Sequence, residues 1–308
     1  MRSLPGIRYQ AAAVAALMVC IATVSGGCAQ RVAVQALARG VPAAAAFFDL
    51  GLDADADVGA VTALMGGTRN GDQPGLYGGS RNRKRCAKKK LAQFLEDPAN
   101  RKKARAWADV QGIEVDRIDD FVEDLTPVLL RNDTLVKNYD YRNGRADGFD
   151  ALLEAGIAVL VDRFGRPVVK CNCGNPLGTF EHDPDDITVS FTGRNKKWKT
   201  HRPEKVVKVE PAAGRRAVSA YELVDVDNAD AGLERRAGTD GDQDSPLPDD
   251  PGGEDAAGPA PTVTDMPTES PDPVEETSGP PVETSAVEPT TTTEPTGEPA
   301  GGSPAPTS

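Results

Sequence analysis

The sequence predicts an α+β fold: one domain over residues 69–230, short helices first and antiparallel strands after, followed by a disordered C-terminal tail. Three observations predict it. Between Cys86 and Leu125 the apolar residues recur at helical spacing. After Pro127 they alternate or form short β-branched runs, the pattern of strands. From residue 237 onward the chain has 16 Asp and Glu, no Lys or Arg, no aromatic residue, and 15 of its 25 prolines. Such a segment buries too little apolar surface to offset its ordering entropy. The net charge of −12 therefore belongs to the tail, because all 35 Lys and Arg precede it. This excludes a uniformly acidic globule.

The N-terminus opens with Arg2 and Arg8, then the apolar run Ala11 to Ser25, then Gly26, Gly27 and Cys28. A basic start, a short apolar core and small residues predict a secretory signal over residues 1–27. The run is shorter than the roughly 20 apolar residues of a spanning helix. Cys28 resembles the lipidated cysteine of a bacterial lipobox, although Ser25 stands where that pattern favours Leu. Cleavage after Ala29 without lipidation, or an uncleaved anchor, are the alternatives. All three place the body outside the cytoplasm, tethered or secreted.

Residues 28–68 are rich in Ala, Gly and Asp and predict a tether that orders in part. Asp53, Asp55 and Asp57 imitate the start of a calcium loop, but Val58 and Leu64 stand where Gly and a bidentate Glu are needed. Gly75 to Ser80 reads as a tight turn; it lacks the GK[ST] ending of a phosphate loop. The basic cluster Arg81, Arg83, Lys84, Arg85, Lys88, Lys89 and Lys90 follows. Outside the cell it excludes nucleic acid as a partner and points to anionic lipid headgroups, a wall polymer, an envelope protein or the chain's own acidic tail. A solvated helix face is the plainer reading.

Three helices are expected: Cys86 to Leu95; a second opened by Asp97-Pro98 and stopped at Gly112; and Asp116 to Leu125. Val128–Leu130 and Leu135–Val136 read as strands, and Ala151 to Ala155 as a short helix. Gly156 to Lys170 reads as a hairpin turning at Phe164-Gly165-Arg166. Ile187 to Phe191, Lys205 to Val209 and Val218 to Val226 complete the strands.

In a compartment where disulfides persist, Cys86, Cys171 and Cys173 are the candidates for pairing. Cys171 and Cys173 bridge each other poorly, so Cys86 pairs with one of them and a thiol is left over. Cys86, Cys171 and Cys173 with His182 would be a Cys₃His zinc set, but the usual spacing puts two residues between paired cysteines. No other metal set and no cofactor motif stands out. Catalysis has little support: His182 and His201 are the only histidines, and no Ser lies in a nucleophile elbow.

Four segments carry a family resemblance: GLYGGSRNRKRC from Gly75, DPANRKKARAWA from Asp97, LTPVLLRNDTLV from Leu125 and AGIAVLVDRFGRPVVKCNCGNPL from Ala155. They resemble an actinobacterial family of secreted, lipoprotein-associated domains of unknown function. The resemblance implies location and domain extent, and no activity, cofactor or catalytic residue. The combined expectation is a non-catalytic envelope lipoprotein, with the Arg81–Lys90 cluster and the Cys171–Leu177 turn as binding surfaces. The alternative is a thiol- or metal-dependent extracytoplasmic enzyme using Cys171 and Cys173.

Overall fold

The three helices form where the apolar spacing puts them. The structure, a computed structural model, describes residues 31–48, 54–81 and 86–252. In chain order the elements are β1 (Val32–Leu37), β2 (Gly67–Asn70), β3 (Tyr77–Gly79), α1 (Lys88–Glu96), α2 (Arg101–Gln111) and α3 (Ile118–Glu123). Then come β4 (Thr126–Leu130), β5 (Thr134–Arg142), β6 (Arg145–Leu153), β7 (Ala158–Val161), β8 (Pro167–Lys170) and β9 (Asn175–Gly178). The last are β10 (Ile187–Ser190), β11 (Val207–Glu210), β12 (Ala220–Asp225), β13 (Gly232–Arg236) and β14 (Ser245–Leu247).

Helix α1 buries Leu91, Ala92 and Leu95 on one face. The Asp97 carboxylate accepts from Ala99 N–H and opens a 3₁₀ turn at Pro98, so α2 begins only at Arg101. Helix α2 ends where Gly112 turns left-handed at φ 66° and its N–H reaches back to Ala108 and Asp109. The carbonyls of Glu123 and Leu125, at the end of α3, accept from the Lys88 ammonium.

The expectation of helices followed by antiparallel strands is overturned. The described strands form one mixed sheet of 14, and three of them precede the helices. The main path runs β10-β1-β6-β5-β9-β8-β7-β4-β3-β12-β13-β14; β11 joins β5 beside β9 and carries β2. Five pairs are parallel: β1 with β10 and β6, β11 with β2 and β5, and β12 with β3. Parallel partners lie far apart in sequence, so no local pattern marks them.

Two cores lie on opposite faces of the central strands. Leu129 of β4 and Leu160 of β7 join a core under the helices with Phe47, Trp107 and Ile118. Val128 and Leu130, and Val159 and Val161, point the other way into a core with Leu76, Val136 and Leu223. The period-2 alternation of strands splits the two. Burial on both faces explains why TPVLL and AVLV read as continuous apolar runs.

Two local expectations are also corrected. Ala151 to Ala155 is no helix: Ala151, Leu152 and Leu153 end β6, paired on one side with β5 and on the other with β1. Tyr77 to Gly79 is a strand between β4 and β12, not a turn alone. The hairpin β7–β8 turns where expected. The Asp162 carboxylate accepts from Phe164 and Arg166 N–H and takes Arg166 through two side-chain bonds, at 2.9 and 2.6 Å.

The start of the predicted tether and the start of the predicted tail both meet this body. Val34 and Phe47 are buried in its cores. Past β13, three cations of the body reach forward to Asp240, Asp244 and Asp250. These are Lys88 at 3.4 Å, Arg235 at 2.6 Å and Arg131 at 3.3 Å. The signal segment, Cys28, Asp53, Arg83, Lys84, Arg85 and everything from residue 253 lie outside the described residues.

Candidate functional site

Cys86, just before α1, is bonded to Cys171, just after β8, with Cα atoms 5.4 Å apart. The bridge ties the helical layer to the sheet beneath it. Cys173 is the free thiol of the described residues; it is buried, and burial pushes its pKa up. The disulfide takes two members of the Cys₃His set, so that set is not assembled. His182 instead faces Asp150, Nε2 to Oδ2 at 3.5 Å, with its ring edge against Phe180.

Helix α2 covers much of the Cys171–Leu177 turn, while Asn175 faces a cavity beside β5. Trp107 Nε1–H donates to Gly174 O at 3.1 Å, and Gln111 donates to Val168 O at 2.9 Å and Leu177 O at 3.4 Å. Gly174 sits at φ +60° with the Phe48 ring against its Cα, leaving no room for a side chain. The basic cluster also divides. Lys88 is buried and spends its ammonium on Glu123 O, Leu125 O and Gly238 O, at 2.9, 2.8 and 2.7 Å. It is a structural tie and no ligand. Arg81, Lys89 and Lys90 are exposed. Asp55 and Asp57, read against a calcium loop, hold backbone instead: Asp55 accepts from Gly40 and Ala158 N–H, and Asp57 from Gly59 N–H and Arg39.

A second feature was not anticipated from the sequence. A cavity of about 260 Å³ opens between β1, β5, the β8–β9 junction and the loop at residues 192–195. Asn138, Asp140 and Arg142 alternate along one face of β5 and so point into it together. Lys170 closes β8 and Asn175 opens β9 on the same cavity. Asp140 is fully engaged. Its Oδ1 accepts from Asn175 at 2.9 Å and Asn138 at 3.4 Å, and its Oδ2 from Arg142 at 2.8 Å. Asn175 Oδ1 accepts from Phe47 N–H at 3.0 Å, and Asn195 Oδ1 from Ala38 N–H at 2.9 Å. These bonds fix the walls. The signal that could have found this site is Asn143-Gly144. Both residues have positive φ, 51° and 81°, and Arg142 pairs with Arg145. An Asn-Gly dipeptide between alternating residues marks a two-residue hairpin, and hence the paired β5 and β6.

A third cluster joins Asp133 and His201, both buried, with Nδ1 and Oδ2 2.7 Å apart. Asp133 also accepts from Trp198 Nε1–H at 3.0 Å and Ala155 N–H at 3.0 Å. Phe191 and Trp198 set ring edges on His201. Among the described residues no Ser or Cys bonds to His201, so the pair pins the long loop after β10 to the sheet rather than activating a nucleophile.

Fold and site together define a disulfide-stapled mixed β-sheet domain, helices on one face, with a small cavity of mixed polar and apolar lining at the β5 side. No helix of the described residues is long and apolar enough to cross a membrane. The chain belongs to the family described as a domain of unknown function, DUF6777, whose model matches residues 67–238, more than half of the chain. That match contains Asn138, Asp140, Lys170 and Asn175 but not β1, which supplies Gln35 and Leu37 to the cavity. No curated protein and no solved structure matches the chain.

Proposed function

We propose that this chain is a non-catalytic binding domain, displayed outside the cytoplasmic membrane of an actinobacterium by a lipid on Cys28. Its acidic Pro/Thr/Glu tail would extend toward the wall. The Cys86–Cys171 disulfide carries the reading, since such bonds persist in oxidising compartments and are rare in the cytosol. The basic start and short apolar run before Cys28 support export. Arg81, Lys89 and Lys90, with Arg83, Lys84 and Arg85 of the same run, offer charge to anionic headgroups, a wall polymer or an envelope protein. The thiol-enzyme alternative loses support. Cys171 is bonded, and Cys173 is buried with its pKa raised, the reverse of what a reactive thiolate needs.

Cys28→Ala in the full chain tests the anchoring. The protein should move from the membrane fraction to the soluble extracytoplasmic fraction; unchanged fractionation refutes lipidation at this residue.

A further inference from the structure

Two buried side chains on the β5 cavity, Lys170 and Asn138, are incompletely matched by the protein around them. Lys170 is 2% exposed, and its ammonium donates one hydrogen bond, to Asn172 Oδ1 at 2.9 Å. It forms no ion pair among the described residues. An ammonium offers three donors, and a buried cation without a counter-charge is costly. Asp140 does not serve it, being occupied by Arg142, Asn175 and Asn138. The second is Asn138, whose Oδ1 is a buried acceptor without a hydrogen-bond partner. Its amide is oriented by the Nδ2–H bond to Asp140. Both side chains line the same cavity, and Arg142 and the exposed Arg194 stand on its rim.

We infer that this cavity binds a small hydroxylated organic acid, its carboxylate on Lys170 and a hydroxyl donated to Asn138 Oδ1. Arg142 is paired with Asp140 and with Asp147, which leaves Lys170 and Arg194 as the lining cations without a carboxylate among the described residues. These two select an anion, and the lone amide acceptor calls for a donor on it. An anion without an O–H group, such as chloride or sulfate, would leave Asn138 unsatisfied. The volume of about 260 Å³ holds about nine waters at ~30 Å³ each. That is the scale of a single sugar acid or a smaller hydroxy acid. The inference deepens the binding-domain reading by naming a ligand class, but it does not depend on how the chain is anchored. Membrane release by Cys28→Ala is blind to the cavity, so the two fail separately.

The test uses the purified full chain with lactate and glucuronate as probes and glucose at equal concentration and ionic strength as the neutral control. At least one acid should raise the melting midpoint saturably while glucose does not. Lys170→Met should abolish that response, and Arg194→Gln, at the exposed rim, should weaken binding about threefold. Lys170→Met should also raise the midpoint of the ligand-free protein, because it removes an unpaired buried charge while keeping the volume. No saturable response to either acid, an equal response to glucose, or a response retained in Lys170→Met would overturn the inference. So would a lower ligand-free midpoint in Lys170→Met, which would make Lys170 a structural tie to Asn172. If that variant does not fold, an undiminished response in Arg194→Gln overturns it instead.

Discussion

Removing the disulfide is the sharpest perturbation of the fold, and its size follows from the chain. The bridge spans 85 residues in sequence, and in the chain-entropy account a loop of that length contributes about 4.5 kcal/mol at 25 °C. The loop contains all three helices and strands β4 to β8, so the unfolded chain gains a large freedom when it opens. Cys86→Ala/Cys171→Ala also deletes two buried sulfurs, adding roughly 1 kcal/mol of lost packing. A total loss of about 5.5 kcal/mol corresponds to a melting midpoint lower by roughly 11–22 °C for a domain of this size. Equilibrium urea unfolding of the full chain, oxidised wild type against the double variant, measures it. The denaturant slope should rise as well, since an unconstrained unfolded chain exposes more surface. A loss below about 2 kcal/mol with an unchanged slope would refute this account of the bridge.

Three further outcomes follow from named contacts. Arg235 and Asp244 are both buried and paired at 2.6 Å, so Arg235→Met should cost about 3–5 kcal/mol by stranding the carboxylate, and Arg235→Met/Asp244→Leu should recover much of it; urea midpoints of the three proteins decide this. Gly174→Ala should cost roughly 2–4 kcal/mol, because the residue is at φ +60° and its new methyl meets the Phe48 ring; a melting curve superimposed on the wild type would contradict the close packing. Burial raises the Glu154 pKa above the ordinary carboxylate range, against the lowering effect of Arg39. The folded state therefore favours neutral Glu154, and its contribution is full at low pH and lost as pH rises through the raised value. Glu154→Gln should flatten that fall, so the variant's relative stability should be higher at about pH 7 than at about pH 4; a constant difference would show that Glu154 is not the group responsible.

The helices were legible because each carries its own signals. Asp97-Pro98 marks a start, Gly112 a stop, and Leu91, Phe94 and Leu95 a face, all within a few residues of one another. The β7–β8 hairpin was legible for the same reason, with Gly165 at its turn. The sheet as a whole was not. Val32–Leu37 is a strand because β6 and β10 flank it in parallel, and those partners lie over a hundred residues away. Ala151–Leu153 resembled a helix because a strand covered on both faces has no alternation to show. The disulfide was narrowed to Cys86 with Cys171 or Cys173, but choosing Cys171 depends on which sulfur faces α1. The cavity was hidden more deeply still. Asn138, Asp140 and Arg142 read as ordinary polar residues until the Asn143-Gly144 turn makes them neighbours on one face, and Lys170 joins them only through β9.

One measurement bears most directly on the claim of an exported, disulfide-stapled, lipid-anchored binding domain. It is peptide mass mapping of the protein from its native envelope, alkylated without reduction. The account predicts a lipid-modified Cys28 at the mature N-terminus and a linked Cys86–Cys171 peptide pair, with Cys173 alkylated only after unfolding. An unmodified Cys28 within an intact N-terminus, together with free, alkylated Cys86 and Cys171, would contradict it.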